Sequence, residues 1–491
     1  MPLIPITLPA GQYRNGTDFQ ASNRWRDASL VRWIDGTMRP VGGWRLRTTV
    51  GADPVRAAVS WTDLSGDRRF AAATFDTLTA TLASNVTSDI TPVDLVAGTA
   101  DAAVNTGYGG GTYGTGFYGV ARPDPGNFSK ATTWSLDNWG EYLVACSVAD
   151  GRLFEWQLDA GTPAQVIANA PTDNVGLLVT EERFLFALGA GGNPRKLQWC
   201  DREDNTQWAP LPENEAGDFE LQTGGQIMLG LRTRGQSLVI TDHDAHSVSY
   251  QGPPFVYAIQ RVGSACGAIS RRSAVAIDSG ALWMGTRDFH YYGGGSVEDI
   301  PCEVADYVFG SMNGDQISKV FGVANQGANE VWWFYPSAGS LENDRYVAYN
   351  YAERHWMTGS LARTAGIDAG SLRYPLWFCN TGCAYDHEVG FTYGGAAPFA
   401  ETGPISLGAG DQVACVTQLV PDEKTQGDVT ASFKTRFHPN DVERAYGPYS
   451  MANPTSVRLT GRQVRMRVDG ASASDWRVGT MRVDVTPGGR R

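Results

Sequence analysis

Residues 142–156 read YLVACSVADGRLFEW, and the fold is decided by how this stretch is read. One apolar run meets Asp150-Gly151, and a second short run follows and ends in Trp156. Asp-Gly between two strand-like runs signals a tight antiparallel hairpin, because glycine supplies the positive φ that the turn demands. The theme recurs without a strict period, as FLFALGAGGNPRKLQW at 184–199, AVAIDSGALWMGTRDFHYY at 274–292, VWWFYP and YVAYNYAERHW within 331–356, and PLWFCNTGCAY at 375–385. Residues 57–61 and 69–82 add one or two further units. Each unit predicts one hairpin of a propeller blade, and a spacing of roughly 45–60 residues suits degenerate propeller repeats better than solenoids. The expectation is a β-propeller of about six blades over residues 51–398.

After residue 398 the aromatic hairpins stop. Stretches 413–419, 429–437, 457–468 and 476–485 alternate instead, with Thr430, Ser432, Lys434 and Arg436 set against Val429, Ala431, Phe433, Thr435 and Phe437. A period of two predicts strands with one buried and one wet face. They form a second, β-sandwich-like platform domain over 399–491, which the N-terminal arm, residues 1–50, joins through a strand near Ile4–Leu8. The fold class is therefore all-β. Composition agrees, since 58 Gly, 25 Pro and 11% aromatics favour short strands and tight turns over long helices.

The net charge of −12 argues against a protein that grips nucleic acid by neutralising phosphates, because that mode needs basic patches. Its distribution is uneven, since residues from Ser456 onward carry +5 and the remainder −17. An acidic body with a basic end predicts that the two regions face different surroundings. The opening MPLIPITLPAG does not read as a secretory signal, and no apolar run reaches the length of a membrane-spanning helix. A soluble chain made in a cytoplasm is expected. Seven cysteines without zinc spacing predict free thiols and no structural disulfides.

Four places invite a chemical reading. GYGGGTYGTGFYG at 107–119 contains one G-x-G-x-x-G match, Gly109 to Gly114, but nothing there starts the helix a nucleotide site requires. Tyr108, Tyr113, Phe117 and Tyr118 predict an aromatic contact or channel loop instead. TDHDAHS places His243 and His246 beside Asp242 and Asp244, yet residues three apart point to opposite faces of a strand, so a solvated turn is expected. Asp386, His387 and Glu388 are expected to make turn and subunit contacts. SLDNWGEY, residues 135–142, lacks the spacing of a sialidase-type turn, and no nucleophile elbow occurs. No catalytic site, cofactor or metal is expected.

Several stretches, taken in order, resemble the tail-nozzle and packaged-DNA stabilisation family of short-tailed bacteriophages. They are LPAGQYRNGTDFQASNRWRDASLVRW at 8–33, MRPVGGW at 38–44, the Gly/Tyr stretch leading to WSLDNWGEYLVA and DGRLFEW, WCDREDNTQW at 199–208, NYAERHW at 350–356, LTGRQVRMRV at 459–468 and WRVGTMRVDV at 476–485. The resemblance implies a propeller with a β platform in a homo-hexameric ring of the virion tail. Head-to-tail adaptor proteins would lie above the ring, with fibre, spike or needle proteins below. Packaged DNA would pass through it without sequence-specific binding. A related ring in a long-tailed phage or gene-transfer particle would leave the same traces. The alternative is a peripheral tail fibre or a receptor- or glycan-binding tail protein, with the aromatic loop as its contact surface. Arg458, Arg462, Arg465 and Arg467 are the candidate interface, because Arg465 and Arg467 flank Met466 on one face of a strand and suit carboxylates of a neighbour.

Overall fold

At the hairpin of 142–156, Tyr142–Ser147 pairs antiparallel with Leu153–Trp156, Leu143 facing Trp156. Gly151 has φ +75°, and a Cβ there would stand 2.8 Å from Cα of Asp173, so only glycine fits the turn. Trp134–Trp139 on one side and Gln165–Val166 on the other complete a four-stranded sheet. The computed structural model describes residues 3–104, 128–405, 407, 412–471 and 473–488.

Sheets of this kind lie at 57–89, 134–166, 176–220, 227–264, 274–300 and 321–360. A further sheet, 365–387, takes its fourth strand from the N-terminal region, where Trp44–Thr49 pairs with Cys383–His387. The first strands of these sheets touch one another in a closed ring. The chain is thus a seven-bladed propeller, closed by a strand that precedes blade 1 in sequence.

The count is seven rather than about six because residues 227–264 escape the aromatic-hairpin pattern. Blade 4 is built on two nine-residue strands, Asp244–Gly252 and Val256–Ser264, that carry many polar residues. Trp44–Thr49, grouped with the arm on sequence, belongs to blade 7.

Two sheets of the platform face each other. One orders Leu3–Pro5, Arg482–Pro487, Ala414–Val420 and Thr455–Gly461, and the other Trp25–Ser29, Phe399–Thr402, Gln463–Gly470, Val429–Arg436 and Arg444–Ser450. The single strand expected over 457–468 is two strands. It breaks at Gly461 and Arg462, where the chain crosses from one sheet to the other, and a Cβ at Gly461 would meet Thr435 Cβ at 2.8 Å. Residues 476–481 precede the last strand as irregular chain.

Each pair of adjacent blades encloses its own apolar cluster, as between blades 1 and 2, where Trp61, Leu143, Phe154 and Trp156 meet. The cluster between blades 6 and 7 runs on into the platform. Trp332, Phe334, Tyr346 and Trp377 pack in one core with Trp25 and Trp33 of the arm and with Val416, Phe433, Met466 and Val483 of the sandwich. A core shared this way couples the stability of the two parts, since neither can leave without exposing aromatic surface.

Candidate functional site

Arg458 is exposed on Thr455–Gly461, in the first platform sheet, whereas Arg465 and Arg467 lie on Gln463–Gly470 in the second. Arg462 is at the corner between them, so the four arginines do not share one face. Val464, Met466 and Val468 fill the sandwich as alternation predicts. On the opposite face Arg465 and Arg467 have partners within the chain. Arg465 pairs with Asp18 and, at 3.2 Å, with Glu443, while Arg467 reaches Asp469 at 2.8 Å and covers the Phe399 ring at 3.8 Å. Arg436 also reaches Asp18, at 2.8 Å, and Lys434 reaches Glu401 at 2.9 Å. These charges tie the arm segment around Asp18 to the second sheet.

Tyr108, Tyr113, Phe117 and Tyr118, with the Gly109–Gly114 match, lie outside the described residues. Just before them, Ala103–Val104 pairs with Phe128–Ser129. In TDHDAHS the expected solvated turn is made by Asp242 and His243, both exposed between two strands, whereas Asp244 and His246 belong to the strand that follows and are buried. Asp244 accepts a hydrogen bond from the Thr241 hydroxyl at 2.6 Å.

Asp386 and His387, expected in a turn, instead end a strand and are buried, while Glu388 follows that strand in a bend and is half-buried. Glu388 accepts from Arg32 at 2.6 and 3.0 Å, from Asn325 at 2.8 Å and from the Gly42 amide at 3.0 Å. Arg32 also donates to Glu330 at 2.9 Å. Burial alone would lower the Arg32 pKa, but Glu330 and Glu388 outweigh it and raise it. Burial likewise opposes ionisation of Glu388, yet Arg32 holds that carboxyl below the usual range, while burial raises Glu330. This network fastens the Val31–Ile34 hairpin strand to blades 6 and 7. Beside it, Arg363 donates through Nε to His387 Nε2 at 2.9 Å, which requires a neutral imidazole. The Arg363 guanidinium lies 5.0 Å from the Trp44 ring and 4.9 Å from Tyr385.

The propeller axis carries a second concentration of charge. At one end, Glu181, Arg232, Arg234, Asp278 and Gln326 from blades 3–6 border a cleft of about 660 Å³. Arg232 donates to Asp137 at 2.8 Å, and burial raises that carboxyl's pKa against the arginine. At the other end, segment 98–104 crosses from blade 1 toward blade 6. Ala102 exchanges two hydrogen bonds of 3.0 Å with Gln316, and Ala100 accepts from Arg56 at 2.9 Å. Arg56 grips Glu342 at 2.6 and 2.8 Å, and Lys319 pairs with Glu342 at 2.8 Å and with Asp101.

Arg271 and Arg272, just ahead of the inner strand Ala274–Ile277, point away from each other across this end. Arg271 Nη1 lies 3.5, 3.2 and 3.3 Å from the carbonyl oxygens of Val175, Ile227 and Met228 on blades 3 and 4. Arg272 spans to the Arg56 carbonyl at the start of blade 1. Sequence reading passed over this group. Its one trace is the doubled arginine before an apolar strand, and nothing in the sequence places that pair on the axis.

No helix among the described residues is long and apolar enough to cross a membrane, and the seven cysteines are free. No protein-family model matches the chain, and no curated protein does. Solved structures do. The selenomethionine-substituted virginiamycin B lyase from Staphylococcus aureus is similar over 70% of this chain and 98% of its own, at 6% identity and a TM-score of 0.43. The WD40 β-propeller domain of Doa1 matches 70% of this chain and 96% of its own, at 9% identity and a TM-score of 0.41. One of these neighbours is thus an enzyme, and at such identities its chemistry does not carry over to this chain.

Proposed function

We propose that this chain is a structural protein of a bacteriophage tail, a nozzle or hub subunit whose homo-hexameric ring continues the DNA channel, retains packaged DNA and permits its ejection. The observation that carries this reading is the joining of a seven-bladed propeller to a platform built from both ends of the chain through one shared core. The same chain carries, in order, the motifs that resemble the nozzle family, and a two-part block joined by one core suits a ring subunit under load.

The conduit in this reading runs between subunits. The propeller axis is crossed by segment 98–104, tied to Gln316 and Arg56, and by Arg232 reaching Asp137, which leaves it no open passage for a duplex in this reading. An overall charge of −12 suits a wall that DNA slides past, because each phosphate contact would add a salt-dependent attraction. The ring would sit below the head-to-tail adaptor and above fibre, spike or needle proteins in the virion. The role is mechanical, without turnover.

Antibody raised against this chain and applied to purified particles tests the assignment. Label at the tail beneath the head, seen by negative-stain imaging, is the expected result. Label confined to peripheral fibres would favour the receptor-binding alternative and overturn the nozzle reading.

A further inference from the structure

The turn C-N-T-G-C, residues 379–383, sets two thiols against each other at the end of a hairpin of blade 7. Leu376–Phe378 pairs with Cys383–His387, with Phe378 facing Ala384, so the next facing pair is Cys379 and Cys383. The Cys379 amide donates to the Cys383 carbonyl at 2.8 Å, and Gly382, at φ +69°, lets the chain reverse through a three-residue loop. Facing residues joined in this way stand about 5.5 Å apart at Cα, inside the range that a disulfide spans. The side chains converge as well. Cys379 Sγ lies 3.0 Å from the Thr381 hydroxyl and Cys383 Sγ 3.6 Å from the same oxygen, while the Cys383 amide donates to Cys379 Sγ at 3.3 Å. Cys379 is thereby held beside the backbone of its partner, and rotation of the Cys383 side chain is the movement that joining the two sulfurs requires.

The two thiols differ in access. Cys383 is partly exposed, and a hydrogen bond with Thr381 is the first cause that holds its thiol below the ordinary pKa. Cys379 is buried. An accessible attacking thiol with a covered second thiol in reach is the arrangement of redox-sensitive pairs. Cys146, Cys200 and Cys302 contrast with it, since burial pushes their thiols up to about 12 and keeps them protonated.

We propose that Cys379 and Cys383 are a dithiol site that a small oxidised disulfide, of the glutathione class, converts to an internal disulfide. The Cys383 thiolate attacks one sulfur of the incoming disulfide, whose S–S bond breaks, and the released thiolate takes up a proton. Cys379 then gives its proton to solvent and attacks Cys383 Sγ of the mixed disulfide, expelling the second small thiolate. Two protein thiols lose two electrons, and one small disulfide is reduced to two thiols. The bond would pin the hairpin that receives the closing strand of the propeller, because Cys383 faces Thr49 at the end of Trp44–Thr49. The site is independent of the tail assignment.

The test is incubation of the full chain with oxidised and reduced glutathione at a series of ratios, followed by acid quenching, alkylation in denaturant and peptide mass mapping. Expected is a peptide holding Cys379 and Cys383 that lacks two hydrogens and takes no alkyl group, with Cys146 and Cys200 alkylated. C379S should stop at the mixed disulfide on Cys383, and C383S should take glutathione at Cys379 roughly tenfold more slowly, because that thiol is covered. Free thiols at both positions at the most oxidising ratio would overturn the proposal. So would a mixed disulfide on Cys383 that persists in the unaltered chain as it does in C379S, or a bond from either cysteine to a different one. Should a variant fail to fold by circular dichroism, the mass map of the unaltered chain still decides. The urea midpoint should rise on oxidation and return with dithiothreitol, and an unchanged midpoint would overturn the pinning of blade 7.

Discussion

Cys383 opens the last strand that blade 7 contributes from its own sequence, and its thiol has company. Cys379 Sγ accepts from the Cys383 amide at 3.3 Å, and the hydroxyls of Thr381 and Thr49 lie 3.6 and 3.8 Å from Cys383 Sγ. The hydrogen bond with Thr381 is the main cause that holds the Cys383 thiol below its ordinary pKa, against burial. Burial instead pushes Cys146, Cys200 and Cys302 up to about 12. Since thiolate is the reacting form, iodoacetamide near neutral pH should label Cys383 more than about tenfold faster than those three. Peptide mapping of the alkylated protein checks the order, and preferential labelling of Cys146 or Cys200 would contradict it. The sequence foretold free thiols, but not which would react, because that depends on neighbours brought in by Thr49 from the other end of blade 7.

His387 gives the pH prediction. Burial, with Arg363 adding to it, holds this imidazole neutral well below its ordinary pKa. The unfolded chain protonates the same residue near its usual value of about 6.5, so below that pH the unfolded state binds the extra proton and stability is lost. The loss runs at up to about 1.4 kcal/mol per pH unit until the folded pKa is reached. Urea unfolding at about pH 7 and pH 5.5 should show a steeper loss for the unaltered protein than for H387Q, whose amide still accepts from Arg363. Equal slopes would contradict it. Asp386 and His387 read as turn residues in the sequence because strand burial on both faces, imposed by the arm and blade 6, leaves no alternating mark.

At the scale of elements, the decisive contacts are those between segments far apart in sequence. Trp44–Thr49 closes the propeller from more than 300 positions away, and Arg32 reaches Glu330 and Glu388 from a hairpin that itself packs on the platform. Local patterns show hairpins well, since turn residues and apolar alternation act within about ten residues. They do not show which distant strand completes a blade, and blade 4 was missed because its long strands alternate polar residues where the other blades carry aromatics. The Arg32 network also fixes a magnitude. R32M would leave Glu330 and Glu388 buried without their cation, and loss of one partner of a buried pair costs about 3–5 kcal/mol. Chemical denaturation should find a loss of that size, smaller once Glu388 is also neutralised as R32M/E388Q. A loss under about 1 kcal/mol, the range of exposed ion pairs, would show that the arm is not fastened there.

For the whole molecule, the propeller and sandwich share one core, while the basic residues near the C-terminus are largely matched within the chain. Arg465 and Arg467 already hold Asp18, Glu443 and Asp469. Arg458 is exposed on the first platform sheet, while Arg465 and Arg467 keep only partial exposure beside these partners. The two-part architecture was legible because its parts differ in pattern, aromatic hairpins before 398 and plain alternation after. Assembly leaves no such local trace. The central claim is that copies of this chain form a ring on the tail, and a closed ring of identical subunits has a fixed rotational symmetry. Cryo-electron microscopy of purified particles, with the propeller and sandwich fitted to the tail density, measures that directly. Six copies around the DNA channel is the predicted result, and a single copy or three copies of this fold on the tail would contradict it.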